Sequence, residues 1–274
     1  MSECTGHCES CGGSCEGKKH SRLEAIPHKL LVLSGKGGVG KSTVAASLAV
    51  MLAKTGKKTA LLDVDFHGPS QPTLFGLKDV RLEADENGLL PAVKAGVRII
   101  SIGLLVDNTE AAVIWRGPAK IGVLNQLFEE VNWGDTEYLV LDFPPGTGDE
   151  VLSACQTIPG DKRAVIVTTP QEVSLSDCRK CVDFCRQLDV PIAGIVENMS
   201  FFLCPDCSKR HELFSAGGGQ RLAEQYDLDL IARLPLDPAF LRACDSGRIA
   251  EGISECPALY DELKMALAAI LSQE

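Results

Sequence analysis

The chain of 274 residues is short of three things. It lacks a basic excess: 27 lysines and arginines face 37 aspartates and glutamates, for a formal net charge of −10. No broad positive field is available to hold nucleic acid regardless of its sequence. It lacks long apolar runs, since no stretch approaches the roughly 18 uninterrupted apolar residues needed to span a bilayer, and its first residues contain no apolar leader segment. The expectation is a cytoplasmic protein with neither nucleic acid nor membrane as partner. It also lacks the length for two ordinary domains with much to spare, so one large α/β domain with appendages is the default.

Cysteine, by contrast, is plentiful. Twelve cysteines in a reducing compartment are not a disulfide scaffold and require another use. Cys4, Cys8, Cys11 and Cys15 fall in a stretch, 1–20, with almost nothing apolar, which cannot bury a core and is expected to order only around a metal. This gives a metal-binding tail over 1–27 and a folded domain over 28–274. The four tail thiolates can enclose one iron–sulfur cluster or one zinc, and spacing alone leaves both open. Cys204-Pro205-Asp206-Cys207 forms a tight knuckle with both sulfurs presented the same way. Two thiolates do not close a four-coordinate site, so a second pair comes from elsewhere in the chain or from a second copy; a redox pair and half a zinc knuckle are the rival readings. Cys178, Cys181 and Cys185 share one face of a helix at i, i+3 and i+7 and read as small core thiols.

The stretch that organises the chain is Gly35-Lys36-Gly37-Gly38-Val39-Gly40-Lys41-Ser42, between the apolar run 30–33 and the alanine-rich segment 43–53. Its spacing fits G-x-x-x-x-G-K-[ST] in the required order of strand, loop and helix. Glycines let backbone N–H groups curl round phosphate oxygens, Lys41 meets the terminal phosphates, and the Ser42 hydroxyl can ligate magnesium. Lys36 is a second lysine that the minimal motif does not need.

Further buried strands are expected at 59–65, 97–102, 138–142, 164–168, 192–196 and 229–234, separated by helical stretches. The fold class is therefore α/β, a mostly parallel twisted sheet flanked by helices. Ligands collect at the carboxyl ends of such strands. Asp63 and Asp65 end one strand and are candidates for holding magnesium or the attacking water; Asp142 ends another and suits the magnesium side. The loop 144–149 can change course near a terminal phosphate and reads as a switch. Asn198, placed just past a strand, can read a purine edge. Segment 75–96 is an excursion or hairpin. The last helix, 257–271, has Lys264 as its one base, a poor anionic-membrane anchor.

Taken together, these motifs resemble the deviant Walker A ATPases of the MinD and ParA class. They are closest to the Mrp-type (ApbC-like) iron–sulfur cluster carriers. The resemblance runs over 28–270 and rests on seven motifs in order: the phosphate loop; Asp63-Val64-Asp65-Phe66-His67-Gly68-Pro69-Ser70; Trp115-Arg116-Gly117-Pro118; Asp142-Phe143-Pro144-Pro145-Gly146-Thr147-Gly148-Asp149; Thr169-Pro170-Gln171-Glu172-Val173-Ser174; Glu197-Asn198-Met199-Ser200; and the late C-x-x-C. It implies a homodimeric, slow, Mg²⁺-dependent ATPase that delivers iron–sulfur clusters to apo-proteins and works with cluster assembly scaffolds.

The resemblance also implies residue roles. Lys36 reaches the partner's nucleotide, Lys41 and the loop from Gly35 through Thr43 hold ATP, and Asp65 orients the water. Ser42, Asp63, Asp65 and Asp142 serve Mg²⁺, with Asp142 acting through water. Asn198 and the loop containing Pro235 and Asp237 hold adenine, and Cys204 and Cys207 share a bridging [4Fe-4S] cluster with the other subunit. The tail cysteines resemble those of the eukaryotic nucleotide-binding scaffold relatives, which carry a second cluster, although the outer spacings here are shorter. An ATP-driven electron donor like the nitrogenase iron protein and a positioning ATPase are the alternatives within the same superfamily.

Overall fold

The computed structural model describes residues 21–105 and 117–273, with the backbone alone at 117 and 118. Cys4, Cys8, Cys11, Cys15, Trp115 and Arg116 lie outside the described residues. The chain enters through β1 (His28–Leu33), passes the phosphate loop into α1 (Lys41–Lys54), and returns as β2 (Thr59–Asp63) before the short α2 (Gln71–Leu74). A small hairpin, β3 (Ala84–Asp85) and β4 (Gly88–Leu89), follows, then the edge strand β5 (Ala92–Lys94) and its inner neighbour β6 (Val97–Ser101). Next come α3 (Gly117–Glu130), β7 (Tyr138–Asp142), α4 (Asp149–Thr157), β8 (Lys162–Thr168), α5 (Glu172–Gln187) and the long β9 (Ile192–Leu203). The chain finishes with β10 (Arg210–His211), α6 (Gly218–Tyr226), β11 (Leu230–Pro235), α7 (Pro238–Asp245), α8 (Ile249–Glu255) and α9 (Pro257–Leu271).

Nine of these strands form one sheet in the order β10-β9-β8-β1-β7-β2-β6-β5, with β11 joining β9. Pairing is parallel from β9 through β6 and between β11 and β9, and antiparallel for β5 and β10. Parallel strands need both faces covered, and the alternation of side chains divides each strand between two layers. Leu30, Val32, Leu61, Val140 and Val165 pack toward α1 and α9; Leu31, Leu33, Leu62, Leu139 and Leu141 pack on the opposite face with Phe128 and Val151. Each such leucine, fully buried, contributes about 2 kcal/mol. Helix α1 is buried along most of its length, including Val44, Leu48, Met51 and Leu52; its alanines allow close contact with the sheet. Gly56, at φ +87°, ends it.

Three boundaries differ from the expectation. The folded part begins before residue 28: Ser21 caps a 3₁₀ turn at Arg22–Ala25, and Leu23 and Ile26 are buried in the core. Strand β2 ends at Asp63, because the Asp63 carboxylate accepts the N–H of Asp65 (3.2 Å) and turns the chain out of the ladder. Strand β9 does not stop at Val196 but runs to Leu203, since β11 pairs with it as far as Phe201 and β10 pairs with Phe202 and Leu203. A register shift on this stretch and Met199 at φ +53° disguise the strand as a turn in the sequence.

The registers align the chemistry. Asp63 pairs level with Asp142, and Asp142 with Val32, one residue before the end of β1. The phosphate loop and both acids therefore share the carboxyl edge of the central strands.

Candidate nucleotide site and cysteine knuckle

Gly40 is the N-cap of α1; its φ of +81° is left-handed, and a Cβ there would collide with the Asn198 side-chain amide. Glycine at this position thus serves both the turn and the approach of β9. Gly35 is packed equally hard, against the backbone of Asp177 on α5. The loop and its surroundings enclose a cavity of about 580 Å³ lined by residues 36–43 of the loop together with Ser34, Asp65, Gly68, Ser70, Thr73 and Pro145. A cavity of this size at a helix N-terminus suits a polyphosphate. Gly146 donates its N–H to the Ser34 carbonyl (2.8 Å), so the loop after β7 is tied to the base of the phosphate loop.

Behind the cavity lies a charged layer. Lys41 is buried and its Nζ is ion-paired with Asp142 Oδ1; Nζ also donates to Ser42 Oγ at 3.2 Å. Gln71 Nε2 donates to Asp142 Oδ2 (2.8 Å) and to the Ser42 carbonyl (3.0 Å). Asp63 is fully buried and accepts from the N–H groups of Asp65 and Gln71 and from Ser101 Oγ (2.9 Å). Burial and the neighbouring Asp142 push its carboxyl up to about 8. Asp65 lies forward of this layer, on the cavity wall, where its Oδ1 accepts the N–H groups of His67 (3.0 Å) and Gly68 (3.1 Å).

The structure thus brings Lys36, Lys41, Ser42, Thr43 and Asp65 to one cavity. Asp142 sits directly behind, joined to it through Lys41. Asp63 is not on the wall, and its side chain orders the turn that presents Asp65. Asn198 touches the loop, its Nδ2 donating to the Val39 carbonyl at 2.9 Å. Pro235 and Asp237 are not part of the cavity wall; the Asp237 carboxylate caps α7 by accepting from Ala239 and Phe240 N–H (2.7 and 2.8 Å). Gln71 is a site residue that sequence reasoning missed. Its position directly after the Asp63 to Ser70 motif was the available signal.

The cysteine knuckle closes the hairpin between β9 and β10. Ser208 N–H donates to the Cys204 carbonyl (2.8 Å) and Cys204 N–H to the Lys209 carbonyl (3.0 Å). Cys204 is half-buried and Cys207 exposed. Hydrogen bonds from the backbone N–H groups of Cys207 and Asp206, with a further one from the Cys207 side chain, hold the Cys204 thiol below its ordinary value, as a thiolate ligand requires. Leu203, Leu213 and Phe214 beside the knuckle are exposed. Among the described residues no group of three or more His, Cys, Asp or Glu side chains is placed to hold a metal ion, so the two cysteines remain a pair. Cys178, Cys181 and Cys185 are buried on one face of α5, as core thiols.

Comparison with known proteins agrees with this geometry. Residues 25–268 match the model of the ParA family described as NUBPL iron-transfer P-loop NTPase. An iron-sulfur cluster carrier protein of Methanocaldococcus jannaschii is 40% identical over 286 aligned positions, covering 100% of this chain and 98% of the relative. A cytosolic Fe-S cluster assembly factor, the Nubp2 homolog of Anopheles gambiae, is 46% identical over 82% of this chain and 89% of its own length. Among solved structures, a nucleotide-binding protein of Archaeoglobus fulgidus in complex with ADP superposes with a TM-score of 0.77 at 39% identity, covering 88% of this chain and 93% of that one. MinD of Pyrococcus furiosus, at 20% identity and a TM-score of 0.62 over 91% and 100% of the two chains, shares the fold. Phosphate loop, parallel sheet and sequence agree, and the chain belongs to the ParA family of NUBPL-type iron-transfer P-loop NTPases.

Proposed function

We propose that this chain is an ATP-dependent iron–sulfur cluster carrier that acts as a homodimer, holds a [4Fe-4S] cluster between Cys204 and Cys207 of its two copies, and delivers it to apo-proteins. The observation that carries this reading is the knuckle itself. It offers two thiolates, one of them activated by backbone N–H groups, on a projecting hairpin with no third ligand among the described residues. A second copy supplies the missing pair, and exposed Leu203, Leu213 and Phe214 give that contact an apolar rim. The tail cysteines Cys4, Cys8, Cys11 and Cys15 would hold a second cluster or a zinc.

ATP occupies the 580 Å³ cavity in this account, its phosphates on the loop N–H groups and Lys41, with Lys36 reaching the nucleotide of the other copy. Mg²⁺ suits the layer behind: Ser42 Oγ and the Asp142 carboxylate converge there, and Gln71 Oε1 is buried with no hydrogen-bond partner. When bound there, Mg²⁺ would neutralise phosphate charge, with Ser42 and, through water, Asp142 as the residues that would hold it. Lys41 exchanges Asp142 for the phosphates, and Asp65, aimed by its turn, orients the attacking water. Asp63 supports that turn. Asn198 exchanges Val39 for adenine, aided by the backbone of 235–238. Because Asn198 and Cys204 are six residues apart, with β9 running to Leu203 between them, the exchange couples nucleotide state to the knuckle over roughly 20 Å of strand. Hydrolysis is slow, since two copies must align.

The test is anaerobic reconstitution of the Cys204→Ala/Cys207→Ala double variant. Loss of cluster holding and of donation to an apo-acceptor is expected. Parent levels of both would end the carrier assignment.

A further inference from the structure

Lys120 is a buried cation with no part in the chemistry above. It enters from α3 with 6% of its surface exposed. Its Nζ lies 2.7 Å from Nε2 of His67, forms an ion pair with Oε1 of Glu150, and stands 5.9 Å from the centroid of the Phe66 ring. An ammonium only donates, so His67 Nε2 is the acceptor of this contact. Phe66 and His67 directly follow Asp65. Glu150 is the second residue of α4, which the loop after β7 leads into. A second cavity, of about 420 Å³, lies between these segments and is lined by Asp65, His67, Gly68, Pro144, Pro145, Gly148, Glu150 and Val151.

A tie between α3 and α4 needs Lys120 and Glu150 alone. The contact with His67 is additional, and it falls on the residue whose backbone N–H, with that of Gly68, fixes Asp65 Oδ1. His67 is otherwise exposed, so a buried lysine holds an exposed ring in place. The loop that Glu150 follows is the one anchored to the phosphate loop by Gly146.

We propose that Lys120 is a positioning residue for hydrolysis: by bridging His67 and Glu150 it fixes the turn that aims Asp65, and it makes that aim depend on the position of α4. This rests on Asp65 as the residue that orients the water. The link is mechanical, because Lys120 bonds to the ring and the carboxylate and touches no reacting atom.

Steady-state ATP hydrolysis by the full chain tests it, together with equilibrium binding of a non-hydrolysable ATP analogue. Lys120→Met is expected to lower kcat by about 100-fold, the scale of an ångström's misplacement of a catalytic group, with analogue affinity within about 2-fold of the parent. His67→Ala, at an exposed side chain, is expected to lower kcat by about 10-fold with the same unchanged affinity. Adding Lys120→Met to Asp65→Asn should lower kcat no further, since both act through one carboxylate. Parent kcat in His67→Ala, or a full additional loss in the double variant, would overturn the proposal. Parent kcat in Asp65→Asn would instead remove the assignment beneath it.

Discussion

Replacing Lys41 by methionine separates two jobs of one side chain, the ion pair with Asp142 and the phosphate contact proposed above. Lys41 is 6% exposed and its partner Asp142 is fully buried, level with the buried Asp63 in the neighbouring strand. Without the ammonium, Asp142 keeps Gln71 Nε2 as a donor but no compensating charge. Breaking a buried pair at one end costs about 3–5 kcal/mol, which for a domain of this size lowers Tm by about 6–20 °C. Asp142→Asn added to Lys41→Met removes the stranded charge and keeps an acceptor and donor for Gln71. A double-mutant cycle should then show about 2 kcal/mol or more of coupling. Denaturant unfolding of the nucleotide-free protein in chelator at pH 7.5 measures stability, and equilibrium ATP titration measures binding. The double variant should recover stability while ATP binding stays lost, because the phosphates also need Lys41. A Lys41→Met variant as stable as the parent, or a double variant no more stable than the single, would refute the buried-pair reasoning. Recovered ATP binding would refute the phosphate role.

Lys36→Ala should slow hydrolysis and nucleotide-driven dimer rearrangement while leaving ATP binding within about 3-fold, as read by titration alongside turnover; equal loss of all three would contradict a lysine that reaches across the dimer. Asp237→Ala removes the cap of α7, which accepts two N–H groups, and should cost about 1 kcal/mol of stability in denaturant unfolding. Native-state alkylation followed by peptide mass mapping should label Cys204 and Cys207 within minutes, and Cys155, Cys178, Cys181, Cys185, Cys244 and Cys256 only on unfolding. The thiols of Cys155, Cys185 and Cys244 are pushed up by burial from the ordinary 9.0 to about 11, 12 and 12. The folded chain retains protons that the unfolded chain releases, so their contribution is complete below pH 9 and is lost as pH rises from 9 toward 12. A thermal midpoint unchanged between pH 8 and pH 10.5 would count against it.

The sheet, the phosphate loop and the acids at the strand ends were legible because each is local. An apolar strand, a glycine octet and a carboxylate at its end leave their mark within a few residues. What escaped was set by distant pairing. Glu197, Asn198 and Ser200 read as a turn, and it is the ladders with β11 and β10 that make 197–203 a continuation of the strand. Leu23 and Ile26 look like part of a polar tail until the core on which they pack is in place. Gln71 and Lys120 act through partners 71 and 30 positions away, Asp142 and Glu150, and no periodicity in the sequence records such a pairing. The residues alone offer both Asp63 and Asp65 for magnesium or water, and only the resemblance singles out Asp65 for the water; the turn after β2 buries Asp63 and places Asp65 on the cavity wall.

The central claim is that Cys204 and Cys207 of two copies share one cluster. Its most direct test is the iron, inorganic sulfide and zinc content of anaerobically purified chain in which Cys4, Cys8, Cys11 and Cys15 are each replaced by serine, measured alongside the mass of the native assembly. A dimer holding iron and sulfide in equal amounts, at half a four-iron cluster per chain and without zinc, is the predicted result. Stoichiometric zinc, or a monomer that keeps its full iron, would contradict it.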